Sequence, residues 1–261
     1  MNRLTHYFAH KPQEELAKTL YITAGLPSLD QFQETLDSLV ASGASIIEIG
    51  MPFSDPLADG PTIQKANELA LQQGVHLPWI FEAIQSFRNR HETPIVLMGY
   101  INPVLHYGIE AFAQECERVG VDGVILPDVP LEEMDRVREI FHAHQCSLIG
   151  LITPTSTDDR IQELDRLCSG FLYIVMVTGV TGGNASQYTS NTRTFLERVR
   201  HIVTNNHIMA GFGIQQRSDI EPYEDLIDGF IVGSALLRVL MDSSSHNSKE
   251  ALQSFLSQLQ S

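Results

Sequence analysis

Residues 30–50 read Asp30-Gln31-Phe32-Gln33-Glu34-Thr35-Leu36-Asp37-Ser38-Leu39-Val40-Ala41-Ser42-Gly43-Ala44-Ser45-Ile46-Ile47-Glu48-Ile49-Gly50. In the first half Phe32, Leu36, Leu39 and Val40 recur at helical spacing. Gly43 then supplies the left-handed residue on which a helix stops. Residues 45–49 form a nearly unbroken apolar run, the pattern of a strand covered on both faces in a parallel sheet. A helix leading straight into a fully buried strand is the repeating unit of an α/β fold.

The same unit recurs in both directions. Short runs rich in Ile, Val or Leu stand at 20–24, 45–49, 94–98, 123–126, 147–152, 171–175, 207–210 and 229–232. Helical patterns occupy 109–119, stopped by Gly120, and 132–142. The connection from Gly50 to Thr93 is longer than the others and holds two helical patterns, 62–73 and 78–91. A glycine-rich stretch, 176–191, follows the sixth run, and long loops of this kind are lids or binding loops. Eight such units in 261 residues predict a (β/α)₈ TIM barrel with extra helices. The expected single domain spans 1–261, with its core at about 18–241 and a last helix at 249–260. A doubly wound open sheet is the alternative topology.

Composition narrows the function. Seventeen Lys and Arg against 32 Asp and Glu give a formal charge of −15, which excludes a nucleic-acid binder. One small phosphate remains compatible, because backbone N–H groups at a helix start bind it locally. The three cysteines, Cys116, Cys146 and Cys168, lack metal or redox spacing and suggest reduced thiols in a cytoplasmic protein. The start carries no apolar segment of a secretory signal, and no run approaches membrane-span length, so no membrane association is expected.

Glu48 is the first candidate for chemistry. A carboxyl group inside a buried strand must be paired, hydrogen-bonded or kept protonated. It can be a satisfied structural group, but its place near a strand end points it into the barrel mouth. There an apolar surround raises its pKa and suits it to proton transfer near neutral pH. Asp59, in the proline-rich loop after the same strand, faces the same mouth, whereas Asp55 before Pro56 reads as a local turn. Gly211-Phe212-Gly213-Ile214 and Gly233-Ser234-Ala235-Leu236 follow the seventh and eighth runs, where barrels bind phosphate. Ordinary β-to-α turns also favour Gly and Ser, but both loops stand after the required strands. Gly182-Gly183 is placed to close over the same group. Tyr173, inside the sixth run, needs a hydroxyl partner, and a carboxylate across the barrel would serve. The ten histidines show no metal-ligand spacing, and His142 and His144 read as a solvated helix end. Lys65 lies on a helix, which disfavours an imine mechanism.

The stretch Glu48-Ile49-Gly50-Met51-Pro52-Phe53-Ser54-Asp55-Pro56-Leu57-Ala58-Asp59-Gly60-Pro61-Thr62-Ile63-Gln64 resembles the signature of tryptophan synthase α subunits. The likeness continues through residues 97–103, 128–133, 179–182, 211–214 and 232–235, so it covers roughly residues 15 to 241. The resemblance implies aldol-type cleavage of indole-3-glycerol phosphate to indole and glyceraldehyde 3-phosphate. Glu48 would be the acid and base, and Asp59 would hold the indole N–H. Tyr21 would lie near the indole and Tyr173 near the catalytic carboxylate. Thr181 would order a lid beside Asp59, while Gly182, Gly211, Gly213, Gly233 and Ser234 would take the phosphate. No metal or cofactor is implied in this subunit. Indole would pass to a pyridoxal-phosphate-dependent β subunit in an α₂β₂ complex, docked through Pro52, Asp55 and Pro56.

Departures from the family pattern fall at Leu26, at Met176-Val177 and at Gly183-Asn184. They imply a lid that is mobile without ligand, closes mainly through Thr181 on Asp59, and responds more weakly to the partner. They also leave a second reading, a weakly active α-like subunit kept to activate the β subunit. Another phosphate-sugar barrel enzyme of aromatic or histidine biosynthesis is disfavoured, since those lack the 52–64 signature.

Overall fold

Side chains alternate across a strand, so a strand that is apolar on both faces must be covered on both. Strands β1 (Ala17–Thr23), β2 (Ile46–Gly50), β3 (Ile95–Met98), β4 (Gly123–Ile125), β5 (Ser147–Ile152), β6 (Phe171–Val175), β7 (His207–Gly211) and β8 (Gly229–Val232) meet this demand by closing on themselves. Every neighbouring pair is parallel, and Ala17–Leu20 of β1 pair with Gly229–Val232 of β8. That closure rules out the doubly wound sheet. The chain is a TIM barrel. The computed structural model describes residues 2–57, 59–175, 185–211, 213–242 and 248–259.

The helices among the described residues are α1 (Arg3–His10), α2 (Phe32–Ala41), α3 (Pro61–Gln72), α4 (Leu77–Arg88), α5 (Ile101–Tyr107), α6 (Ile109–Val119), α7 (Leu131–Ala143), α8 (Asp158–Leu167), α9 (Ala185–Ile202), α10 (Ser234–Asp242) and α11 (Ser248–Gln258). Among them none is long and apolar enough to cross a membrane. Helices α2, α4, α6 and α7 turn Leu36, Ile84, Phe112 and Phe141 onto the outer faces of the strands, against Leu20, Ile47, Leu97 and Leu148. Helix α6 ends at Gly120 with φ 83°, and Gly43 has φ 77°, so the two predicted helix stops use the left-handed region that only glycine enters freely.

Inside the barrel the lower layer is Ala17, Ile46, Val96, Ile125, Ile149, Phe171, Met209 and Ile231, closed from below by Leu4 and Phe8 of α1. The sequence reading contains no such helix. Its signature is short: Asn2 accepts the N–H of Thr5 as a cap, and Leu4 and Phe8 stand four residues apart on one face. The first strand also begins earlier than the apolar run suggests. Lys18 and Thr19 interrupt that run, yet Thr19 lies fully buried inside the barrel and Lys18 reaches the carbonyl of Ser42 at 3.2 Å.

The plug is fastened by Asp122, a buried carboxylate just before β4. Arg88 of α4 donates to it at 2.8 Å, the backbone N–H of Ile95 at 2.9 Å, and the N–H of Arg3 at 3.0 Å. Arg88 is itself nearly buried and also donates to the carbonyls of Thr93 and Gly120. The network thus ties α1, α4 and the entries of β3 and β4 together at the amino-terminal end, away from the strand ends that carry the site. Removing one member of a buried ion pair strands the other, at a cost of about 3–5 kcal/mol. Asp122→Ala should therefore lower the urea midpoint by that equivalent, whereas a loss under about 1 kcal/mol would class the network with exposed pairs.

Candidate active site

Glu48 occupies an inward position of β2 and is 1% exposed. Neither carboxyl oxygen has a hydrogen-bond partner among the described residues. Desolvation alone raises its pKa to about 8, so the group is protonated at neutral pH. The pairing of β1 with β2 puts Tyr21 directly beside it, and both side chains face the barrel interior. The buried Tyr21 hydroxyl lies 3.4 Å from Thr23 Oγ1 and fills the recess left by the absent side chain of Gly50.

Asp59 approaches from the loop after β2. Its carboxyl accepts a hydrogen bond from Asn67 Nδ2 of α3 at 3.1 Å and another from Tyr100, which follows β3. Partial burial still leaves its pKa above the usual carboxylate value, with those two bonds pulling it back down. Both Asp59 and Glu48 act electrostatically on the Tyr21 hydroxyl, whose pKa burial raises far above its ordinary value. The two acids named from the sequence therefore converge on one tyrosine.

Tyr173 of β6 stands within electrostatic reach of Glu48, but the hydrogen bond expected between them is absent. The reason is steric. A side chain on Gly211 would meet the Tyr173 ring and hydroxyl at 2.7 Å, so the tyrosine lies in the recess over β7 instead of reaching across to β2. Gly211 is thus required by this packing, whatever else it contacts. Gly233 differs: a Cβ there would come no closer than 3.6 Å to Tyr21, an ordinary contact, so packing does not demand glycine. Gly213 has φ 69° and needs glycine for its backbone. Ser234 opens α10, whose first regular bond runs from Leu237 N–H to Gly233 O at 3.0 Å. The preceding amides of that turn have no partner within the helix. Thr181 and Gly182 lie outside the described residues, as do the other positions of 176–184, and the loop expected to reach residue 191 is already helical from Ala185, where α9 begins.

Pro52, Asp55 and Pro56 lie on the rim, where the chain bends at Ser54 and Asp55, and Asp55 accepts the Ser54 hydroxyl at 2.5 Å. With α3 this loop borders an open groove of about 670 Å³ lined by Phe53, Pro56, Leu57, Gln64, Glu68 and Leu71. Leu57 is 93% exposed there. Two groups at the site escape the sequence reading, Asn67 and Tyr100. Asn67 left a signal, a polar residue on the buried stripe between Ala66 and Ala70 of α3. Elsewhere, His144 is not simply solvated, since its Nδ1 lies 2.7 Å from Glu117. Lys65 pairs with Glu68 at 2.8 Å on the outer face of α3, and no cluster fit to hold a metal is found among the described residues.

Fold and geometry define an α/β-barrel enzyme with two acids, Glu48 and Asp59, gathered about one buried tyrosine at the carboxyl-terminal end of its strands. The family model described as tryptophan synthase alpha chain matches residues 8–260, and the chain belongs to that family of lyases in tryptophan synthesis. It is 41% identical over 260 residues to the tryptophan synthase alpha chain of Pelobacter propionicus, covering 99% of this chain and 97% of the relative. The crystal structure of the Legionella pneumophila alpha chain superposes with a TM-score of 0.87 at 32% identity, over 99% of this chain and 96% of that one. A chain of the tryptophan synthase α₂β₂ complex of Pyrococcus furiosus gives 0.85 at 30% identity, over 95% and 98%.

The raised pKa of Glu48 has a consequence for stability. In the unfolded chain the group loses its proton near 4.5; in the folded chain it keeps it to about 8. Between those values the native state holds the extra proton, so stability falls as pH rises through the window, and the loss is complete above it. Glu48→Gln removes the effect. Its melting temperature should exceed the parent's at about pH 8.5 by the equivalent of a few kcal/mol, and match it near pH 4.5. Equal melting temperatures at both values would mean that Glu48 is not desolvated.

Proposed function

We propose that this chain cleaves indole-3-glycerol phosphate to indole and glyceraldehyde 3-phosphate. The observation that carries the reading is Glu48: a buried carboxyl without a partner, still protonated at neutral pH, beside a second acid. The protonated group donates to the indole carbon that bears the glycerol chain, which turns the ring into an electron sink. The resulting carboxylate takes the proton of the adjacent glycerol hydroxyl. The carbon–carbon bond then breaks, its electron pair returns to the ring, and the new carbonyl leaves as the aldehyde. One carboxyl serves both transfers and ends as it began.

Asp59 supports this by accepting the indole N–H and stabilising the positive charge that develops there. The hydrogen bonds from Asn67 and Tyr100 favour its ionised form, which that role requires. Met98, Leu151 and Tyr173, partly buried around the barrel interior, supply apolar surface for the ring. The phosphate is assigned to the amides at Gly233 and Ser234 together with Gly213, where a helix start and a glycine backbone admit an anion closely. The rim groove with Pro52, Asp55 and Pro56 is assigned to a tryptophan synthase β subunit, which would hold the pyridoxal phosphate and take up the indole. The α₂β₂ assembly of the Pyrococcus furiosus relative supports that assignment. The whole chain is taken to act as one domain in the cytoplasm.

Glu48→Gln should lower indole formation about 10²-fold or more while the fold and partner binding persist, since only the transferable proton is lost. Cleavage near the parent rate by the purified variant would remove Glu48 from the mechanism. Gly233→Leu should raise KM for the phosphorylated substrate and leave the affinity for free indole unchanged. A rise in both would show that the substitution disturbs the ring pocket and not an anion site.

A further inference from the structure

Helix α3 carries two stripes with different tasks. Ile63, Ala66 and Leu69 turn inward to a cluster with Tyr21 and Leu237, while Gln64, Glu68 and Leu71 line the rim groove. Two amide side chains of this helix grip Asp59. Gln64 Nε2 donates to its backbone carbonyl at 2.8 Å, and Asn67 Nδ2 donates to its carboxyl at 3.1 Å. The two amides are three residues apart, so they hold one residue from one face of the helix at two points.

Their surroundings differ. Asn67 is buried and on the site side, fixed by packing. Gln64 is exposed and lines the groove, so an occupant there touches the residue that holds the Asp59 backbone carbonyl. At the helix entry Gly60 provides no side-chain cap and Pro61 gives no N–H, so neither side chain there donates to Asp59. The exposed Leu57 and Leu71 supply the groove's apolar surface, as a partner subunit requires.

We propose that α3 is the element through which a docked partner acts on the reaction, with Gln64 and Asn67 as positioning residues for Asp59. This rests on the assignment of the groove to the β subunit and of Asp59 to the indole N–H. Before docking, Gln64 is free to exchange its bond to the Asp59 carbonyl for water. Covered by the partner it loses that alternative, and Asp59 is held where the developing charge needs it. The coupling is mechanical and local: it requires only that one surface amide be desolvated by docking.

The test uses the full chain, indole-3-glycerol phosphate and the β subunit with its pyridoxal phosphate. Gln64→Met keeps the length and helix propensity of the side chain but removes the donor. The stimulation by saturating β subunit, as the ratio of kcat/KM with and without it, should fall about fivefold, the worth of one hydrogen bond, while partner affinity is unchanged. Stimulation equal to the parent's would overturn the proposal. So would stimulation and affinity lost together, since Gln64 would then be a docking contact only. Asn67→Leu supplies a readout independent of turnover. Losing a bond that favours the ionised form should raise the titration midpoint of the Asp59 carboxyl, followed by carbon-13 NMR in the free chain. An unmoved midpoint would show that the clasp does not exist in solution. A parent chain that cleaves nothing would remove the proposed function, whereas the titration decides the clasp by itself.

Discussion

A carboxyl group placed inside an apolar barrel without a partner is the constraint on which the rest of the molecule turns. The lower barrel layer and the strands around Glu48 exclude water from it, and that exclusion keeps a glutamate protonated at neutral pH. Such a group destabilises the fold that contains it. The remainder of the structure offsets this with an outer core that runs round the whole barrel between strands and helices, and with the ion-pair network around Asp122. Asp122 shows the contrast. It is as buried as Glu48 but receives an arginine and two backbone N–H groups, and it serves only to fasten the amino-terminal end. One buried acid is satisfied and structural; the other is left unsatisfied at the end where substrates enter.

The tyrosines show how packing protects that state. Both Tyr21 and Tyr173 are within electrostatic reach of Glu48, and either hydroxyl could quench it by a hydrogen bond. Each is instead lodged against a glycine at a strand end, Gly50 for Tyr21 and Gly211 for Tyr173. Two glycines, Gly50 and the Gly211 that reads from the sequence as a phosphate residue, thus lodge aromatic hydroxyls away from the acid. Any side chain at either position would push a phenol out of its recess and into the mouth.

The barrel was legible because parallel strands buried on both faces leave apolar runs, and runs such as 147–152, 171–175 and 229–232 coincide with β5, β6 and β8. What escaped lacks that contrast. Helix α8 is dominated by charge in Asp158-Asp159-Arg160 and Glu163-Leu164-Asp165-Arg166, and α5 carries Pro103 inside a short span. Helix α1 shows only two buried residues before the first strand. Glu48 was visible as a local anomaly, an acid within an apolar run. Tyr100 and the grip of α3 on Asp59 were not, since they arise from elements brought together by closure of the barrel. The roles of Gly50 and Gly211 were hidden for the same reason: the tyrosines they accommodate lie on other strands.

The central claim concerns one proton, so the most direct measurement follows it. Carbon-13 labelling of the glutamate side chains, with Glu48→Gln to assign the resonance, allows the Glu48 carboxyl to be titrated in the folded chain. The account predicts a midpoint near the value of about 8 that desolvation imposes. A midpoint close to 4.5, the ordinary glutamate value, would show an ionised group in contact with water and would contradict it.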